Sequence, residues 1–165
     1  QKHDATRLHY DVRLEVDGVL KSWAVPKGPS LDPHQRRLAM PTEDHPMDYA
    51  TFEGVIPQGQ YGAGPVIVWD AGVYRNLKTD TKGKEIPMAK CYEQGRVEVY
   101  LTGRKLAGGF ALVRTASDAS GRDRWLMIKM KDAHADPSRD VVASQPRSVL
   151  SDKTIEQVQQ EGRSG

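Results

Sequence analysis

A chain of 165 residues is long enough for one domain that buries roughly two-thirds of the surface its unfolded form exposes. With 24 Lys and Arg against 22 Asp and Glu, a net charge of +2 and 38% hydrophobic residues, it is neither a polybasic arm nor a disordered acidic tail, and its charge balance singles out no partner. Cys91 is the single cysteine, which excludes an internal disulfide and fits a reducing compartment, and no apolar run nears the roughly 18 residues that span a bilayer, so a soluble protein is expected.

The chain opens on Gln1 rather than Met and reads as a trimmed fragment. Residues 8–16 alternate strictly, apolar or aromatic at even positions and polar at odd ones, the pattern of a half-buried strand. Asp17-Gly18 then predicts a type I′ hairpin turn into a second strand over 19–25, paired antiparallel with the first. A proline-rich loop over 26–33 carries Lys27, residues 36–40 read as a third strand, and 41–60 as irregular chain. Residues 65–69 and 73–77 flank a turn at 70–72, and further strands are predicted over 96–102, 109–114 and 124–130. Only 88–93 and 151–160 look helical, the latter with Ser151 and Asp152 as caps. Eight short strands with turn signals between them predict a mainly β chain, a compact antiparallel β-barrel with one or two flanking helices. The domain spans 1–145; residues 146–165, whose apolar positions Val149, Leu150, Ile155 and Val158 are sparse, read as a mobile tail or a loosely docked helix.

The chemistry concentrates on the polar face of the first strand. His9, Asp11, Arg13 and Glu15 share that face, with neighbouring Cα atoms about 6.6 Å apart. Two donors on one small cation, each about 2.0–2.2 Å from it, sit about 3 Å from one another, a gap that His9 and Asp11 can close by leaning together. Arg13 is permanently cationic and suits an anion bound to that metal. A lone His-x-Asp pair is usually a solvated strand face; here Arg13 continues the row, His3 lies close upstream and the opposite face is uniformly apolar. Elsewhere, seven basic residues between Arg104 and Lys131 (Arg104, Lys105, Arg114, Arg122, Arg124, Lys129, Lys131) stand against Asp118 and Asp123, and Glu43, Asp44, Asp48 and Glu53 surround His45. A basic wall beside an acidic, metal-seeking centre suits a polyanion cleaved at a metal. The glycine-rich run 59–64 lacks the Gly-Lys-Ser/Thr ending of a P-loop and reads as a structural turn. Trp23, Trp69 and Trp125 fall within strand patterns and read as core, while His34 and His134 read as solvated.

Several motifs together carry a family resemblance: Gln1-Lys2-His3-Asp4-Ala5, Leu8-His9-Tyr10-Asp11-Val12-Arg13-Leu14-Glu15, Ser22-Trp23-Ala24-Val25-Pro26-Lys27-Gly28-Pro29, Glu43-Asp44-His45-Pro46-Met47-Asp48-Tyr49, Phe52-Glu53-Gly54-Val55-Ile56-Pro57 and Tyr61-Gly62-Ala63-Gly64. The chain resembles the 3′-phosphoesterase domain of bacterial ATP-dependent DNA ligase D, the multifunctional enzyme of non-homologous end joining. The resemblance implies a β-barrel with a basic groove and a manganese-dependent site that removes a terminal ribonucleoside from a DNA primer and then the resulting 3′-phosphate. It assigns His3, His9 and Asp11 to one divalent metal, manganese(II) first, with zinc or cobalt as alternatives. It assigns Arg13, His45 and Tyr49 to the phosphate and its chemistry, and Lys27, Arg37 and Glu43 to substrate contacts, with Arg36 beside Arg37 a rival for the inward position. It also implies primer-template DNA as substrate, ligase and polymerase modules in the same polypeptide, the end-binding protein Ku as a partner, and a cytoplasmic, nucleoid-associated location. The competing reading is a non-catalytic nucleic-acid-binding β-barrel, which would be indifferent to a chelator.

Overall fold

In the computed structural model, which describes residues 1–117 and 119–164, Asp17 and Gly18 have φ of 51° and 86°, the positive values that a type I′ turn requires. They join β2 (Leu8–Val16) to β3 (Val19–Val25), with Val16 opposite Val19 and Tyr10 opposite Val25. A short β1 (Lys2–Asp4) lies antiparallel on the other side of β2. The remaining strands are β4 (Arg36–Pro46), β5 (Gly54–Ile56), β6 (Gly64–Ile67), β7 (Gly72–Asn76), β8 (Arg96–Gly103), β9 (Ala107–Ser117) and β10 (Asp123–Lys129). All pairings are antiparallel, in the order β5-β6-β1-β2-β3-β4-β10-β9-β8-β7. Because the two edges do not pair, the mainly β expectation holds while a closed barrel does not.

The sheet wraps one core that joins Trp23 and Val25 of β3, Val97 and Val99 of β8, Phe110 and Leu112 of β9, Trp125 of β10, and Trp69. The three tryptophans are buried there, as their strand positions predict. Two strands beyond the predicted eight, β1 and β5, have three residues each, too few to show a period. Strand β4 runs on through Pro41 and Pro46, where irregular chain is expected. The pairing of β4 with β10 stops at Ala39, so beyond it β4 has the character of an edge strand, where residues that cannot donate to the ladder are tolerated, and a register shift between Leu20 and Ser22 of β3 bulges the stretch between the two prolines. Strands β6 and β7, separated by the four residues Val68 to Ala71, do not pair and end on different parts of the sheet. The turn between them is held by the Asp70 carboxylate, which accepts the backbone N–H groups of Arg104 (2.9 Å), Lys105 (3.2 Å) and Leu106 (2.9 Å).

Helix α1 (Met88–Gln94) forms where predicted and stops at Gly95, whose φ of 78° suits a left-handed cap. A short α2 (Val141–Ser144) follows β10. Helix α3 (Ile155–Ser164) starts later than the sequence reading placed it. Its cap is Thr154: Gln157 N donates to Thr154 Oγ1 at 3.2 Å and Thr154 N to Gln157 Oε1 at 2.9 Å, a reciprocal capping box. Residues 146–164 make specific contacts with the sheet. Ile155 and Val158 are buried against Ile67, with Val55 alongside. Val149 N donates to Val68 O at 2.9 Å, Trp69 Nε1 to Gln145 O at 2.6 Å, and Ser148 Oγ to the Glu53 carboxylate. Among the described residues no helix is long and apolar enough to cross a membrane.

Candidate metal and phosphate site

The pairing of β1 with β2 sets His3 directly opposite His9, so a residue six positions upstream becomes a cross-strand neighbour. Their rings lie 4.9 Å apart between centroids. Asp11 Oδ2 faces His9 Nε2 at 3.3 Å and His3 Nδ1 at 3.8 Å. One ligand atom from each of the three residues lies within 4.8 Å of the others, close enough for small side-chain rotations to bring all three onto a common ion. The far nitrogens are occupied. His3 Nε2 donates to Gly62 O at 2.6 Å, and His9 Nδ1 to Arg7 O at 3.0 Å. These bonds leave His3 Nδ1 and His9 Nε2 turned toward Asp11, available either to donate to its carboxylate or, as bare nitrogens, to ligate a cation. Two imidazoles and a carboxylate therefore make a donor set that fits a divalent cation.

Burial opposes ionisation of Asp11, yet hydrogen bonds from His3 and His9 and the charges of His9 and Arg13 hold its carboxyl well below the usual carboxylate range. His9 is raised above its ordinary value chiefly by its bond to Asp11, against a desolvation penalty.

Arg13 occupies the next place on the same face, its fork set by three contacts. Nε donates to Gln1 Oε1 at 2.7 Å and Nη1 to Ser22 Oγ at 2.8 Å, while Nη2 faces Asp11 Oδ2 at 3.6 Å on the metal side. The guanidinium lies 4.9 Å from the centre of the Tyr49 ring. Tyr49 in turn stacks between His45 (4.9 Å) and Phe52 (5.1 Å). Burial pushes the Tyr49 phenol up and keeps it protonated, a hydrogen-bond donor. His45 Nδ1 is 2.7 Å from Glu43 O and 3.1 Å from Arg13 Nη1. Only a protonated Nδ1 satisfies the shorter contact with a carbonyl, so neutral His45 carries its lone pair on Nε2. His45 comes from the end of β4 and Tyr49 from the 3-10 turn Met47–Thr51 that follows it.

The DNA ligase D 3′-phosphoesterase domain family matches residues 1–114. The chain belongs to this family. It is 51% identical over 157 residues to the multifunctional non-homologous end joining protein LigD of Pseudomonas aeruginosa, covering 94% of this chain and 18% of that protein. It is 49% identical over 133 residues to the LigD protein of Mycobacterium tuberculosis H37Rv, and 45% identical over 132 residues to that of Mycolicibacterium smegmatis. Each of these two matches covers 80% of this chain and 16% of the relative. The chain thus spans less than a fifth of the length of these curated relatives.

Other residues of this 3′-phosphoesterase domain are distributed differently from the sequence reading. Lys27 is exposed, and its carbonyl accepts from Arg37 Nη1 at 3.2 Å while Arg37 Nη2 donates to Gln35 Oε1 at 3.0 Å. Asp11 lies opposite Ala24, and Ala24 opposite Met40. Alternation from Met40 puts Arg36 on the Asp11 face of β4 and Arg37 on the face of the buried Ala39. The Glu43 side chain is exposed, and its backbone is what meets His45. Asp44 pairs with Lys21 at 2.9 Å. Glu53 leaves the acidic cluster altogether: it accepts from Val68 N at 2.9 Å and from Ser148, tying the chain after Tyr49 to the C-terminal segment.

The basic wall is not one surface. The Lys129 side chain is fully buried and donates to Gly109 O, Met130 O and Asp132 Oδ1. Lys105 reaches the carbonyls of Gln145 and Arg147, Arg104 that of Val149, and Arg114 that of Glu93. Asp118 lies outside the described residues. Sequence reasoning missed Gln1, Ser22 and Gly62, the three residues that orient Arg13 and His3. Glycine at 62 has a visible requirement: φ is 74°, and a Cβ there would lie 3.3 Å from His3 Cε1.

Proposed function

We propose that this domain is a metal-dependent 3′-end-processing phosphoesterase of bacterial DNA end joining. The observation that carries the reading is the continuous row His3/His9–Asp11–Arg13–His45/Tyr49, a cation-binding cup that merges into an anion-binding fork. Manganese(II) is the cation we assign first, since the mixed nitrogen and oxygen set accepts it as well as zinc or cobalt. When bound, such a cation supplies Lewis-acid stabilisation of phosphate charge and an acidified water.

The chain's own residues do the rest. Arg13 offers Nη2 to a non-bridging phosphate oxygen, with Nε and Nη1 fixed by Gln1 and Ser22 so that little order is lost on binding. The Tyr49 phenol donates a second hydrogen bond, steadied by its stack between His45 and Phe52. His45, with Nδ1 held on the Glu43 carbonyl, protonates at Nε2 and delivers that proton to the leaving oxygen. Lys27 and Arg37, adjacent through one hydrogen bond, and Glu43 are the substrate contacts we assign outside this centre.

The substrate is a primer-template end bearing a 3′-ribonucleoside or a 3′-phosphate, the ribose 2′-hydroxyl being recognised as donor and acceptor. We place the domain in a longer bacterial cytoplasmic polypeptide with ligase and polymerase modules, residues 146–165 leading onward, and with Ku as an end-binding partner. The test is incubation of a 3′-phosphate-ended primer-template with manganese or with chelator. Hydrolysis to a 3′-hydroxyl that stops with chelator is the expected result, whereas binding without turnover would favour a nucleic-acid-binding module. An all-deoxy primer with a 3′-hydroxyl should survive, and its progressive digestion would indicate a general exonuclease.

A further inference from the structure

The loop between β5 and β6 is tied to the metal cup at one residue and bare at the next. Gly62 gives its carbonyl to His3 Nε2 at 2.6 Å. Tyr61 is 98% exposed, more than any other exposed large hydrophobic side chain among the described residues. The loop does not need that ring for its shape. Gly59, Gly62 and Gly64 have φ of 88°, 74° and 131°, and Gln60 N to Pro57 O and Ala63 N to Gln60 O bonds close two consecutive turns. Residues 57–64, Pro-Gln-Gly-Gln-Tyr-Gly-Ala-Gly, carry no charged side chain. A polyanion at the cup therefore meets neither repulsion nor an ion pair here, only an aromatic face.

A single exposed aromatic is ordinary surface; the position of this one is not. From the ion to Nδ1, across the imidazole, over the bond to Gly62 and one residue along the chain, the path to Tyr61 Cα is at most about 13 Å even fully extended. That bound keeps the exposed ring close to the cup beside which Arg13 lies. At 98% exposure the ring has solvent around it and is open to a partner.

We propose that Tyr61 is the stacking platform for the terminal nucleobase of the strand being trimmed. Stacking accepts all four bases, because each has a π face, and that tolerance suits an activity directed at ends rather than sequences. The assignment deepens the phosphoesterase reading and rests on it.

The experiment is a cycle between protein and substrate. Tyr61→Leu and wild-type protein are each assayed in manganese on a 3′-ended primer-template whose terminal nucleoside is either normal or abasic. Wild-type kcat/KM should fall about 5- to 150-fold on the abasic end, the range of one base–aromatic stack. Tyr61→Leu should lie at that lower level on the normal end and lose nothing more on the abasic one. Tyr61→Phe should recover most of the loss, and calorimetric manganese binding should be unchanged in Tyr61→Leu. In parallel, an all-deoxy primer ending in 2-aminopurine should be quenched by wild-type protein and not by Tyr61→Leu. Equal penalties on normal and abasic ends, or quenching that survives Tyr61→Leu, would overturn the proposal. Tyr61-dependent quenching without turnover of any 3′ end would instead sustain the stacking and sink the phosphoesterase reading.

Discussion

Removing the Ile155 side chain should unfasten the C-terminal segment, and the structure sets the size of the effect. Ile155 is 3% exposed and packs with Val158, Ile67 and Val55 at the β5–β6 edge of the sheet. Truncating a buried isoleucine to alanine costs about 2–5 kcal/mol. This cluster is small and lies under a surface helix that can settle inward, which argues for the lower end, about 2–3 kcal/mol. For a chain of this length each kcal/mol moves the midpoint by about 2–4 °C, so Ile155→Ala should melt about 4–12 °C below wild type. Amide exchange should accelerate first in α3 and at Val66 and Ile67, because their cover is what is lost. Glu53 then ties the effect to the site, since its carboxylate binds Ser148 on one side while its backbone follows Phe52 on the other. A melting point within about 1 °C of wild type, well short of the drop expected from the scaling above, with unchanged exchange at Val66 and Ile67, would refute the packing argument and restore a loosely held tail.

Asp11→Ala should abolish manganese uptake in calorimetry and turnover together while leaving the far-ultraviolet spectrum intact; near-normal activity would remove Asp11 from the site. Ser22→Ala deprives Arg13 Nη1 of an acceptor in a buried position. The loss of a hydrogen bond to a charged group, about 1.5–3 kcal/mol, predicts a roughly 10- to 150-fold lower kcat with manganese affinity unchanged, and altered metal affinity would contradict that division of labour. The metal-free protein should have a dome-shaped pH dependence. Asp11, depressed in the folded state, contributes stability above its ordinary value of 3.8 that is lost as pH falls through its lower folded value. His9, raised in the folded state, contributes stability that is complete below 6.5 and fades as pH rises through its higher folded value. Melting points of wild type and His9→Ala should therefore converge on the alkaline side, while manganese affinity of wild type rises there because His9 must bind as the neutral ring. Divergence with rising pH would refute the assignment.

The sequence by itself determined what lies within a few residues along the chain. The Asp17-Gly18 turn and the period-two alternation of residues 8–16 specify the β2–β3 hairpin, and the same alternation puts His9, Asp11 and Arg13 on one face, because both signals depend on local backbone geometry. The family resemblance names His3, His45 and Tyr49, but only the tertiary structure shows how such distant groups come to lie beside that face. His3 joins through a three-residue strand too short to display a period, Ser22 through the register of β3, and His45 and Tyr49 through a β4 whose two prolines disguise it as a loop. Charge was the least legible signal, since Lys105, Lys129, Arg104, Arg114 and Glu53 look like surface in composition yet serve main-chain carbonyls, buried acceptors and a docked C-terminal segment. A charged residue's partner is fixed by long-range register and desolvation, and neither is written in the spacing of residues along a chain.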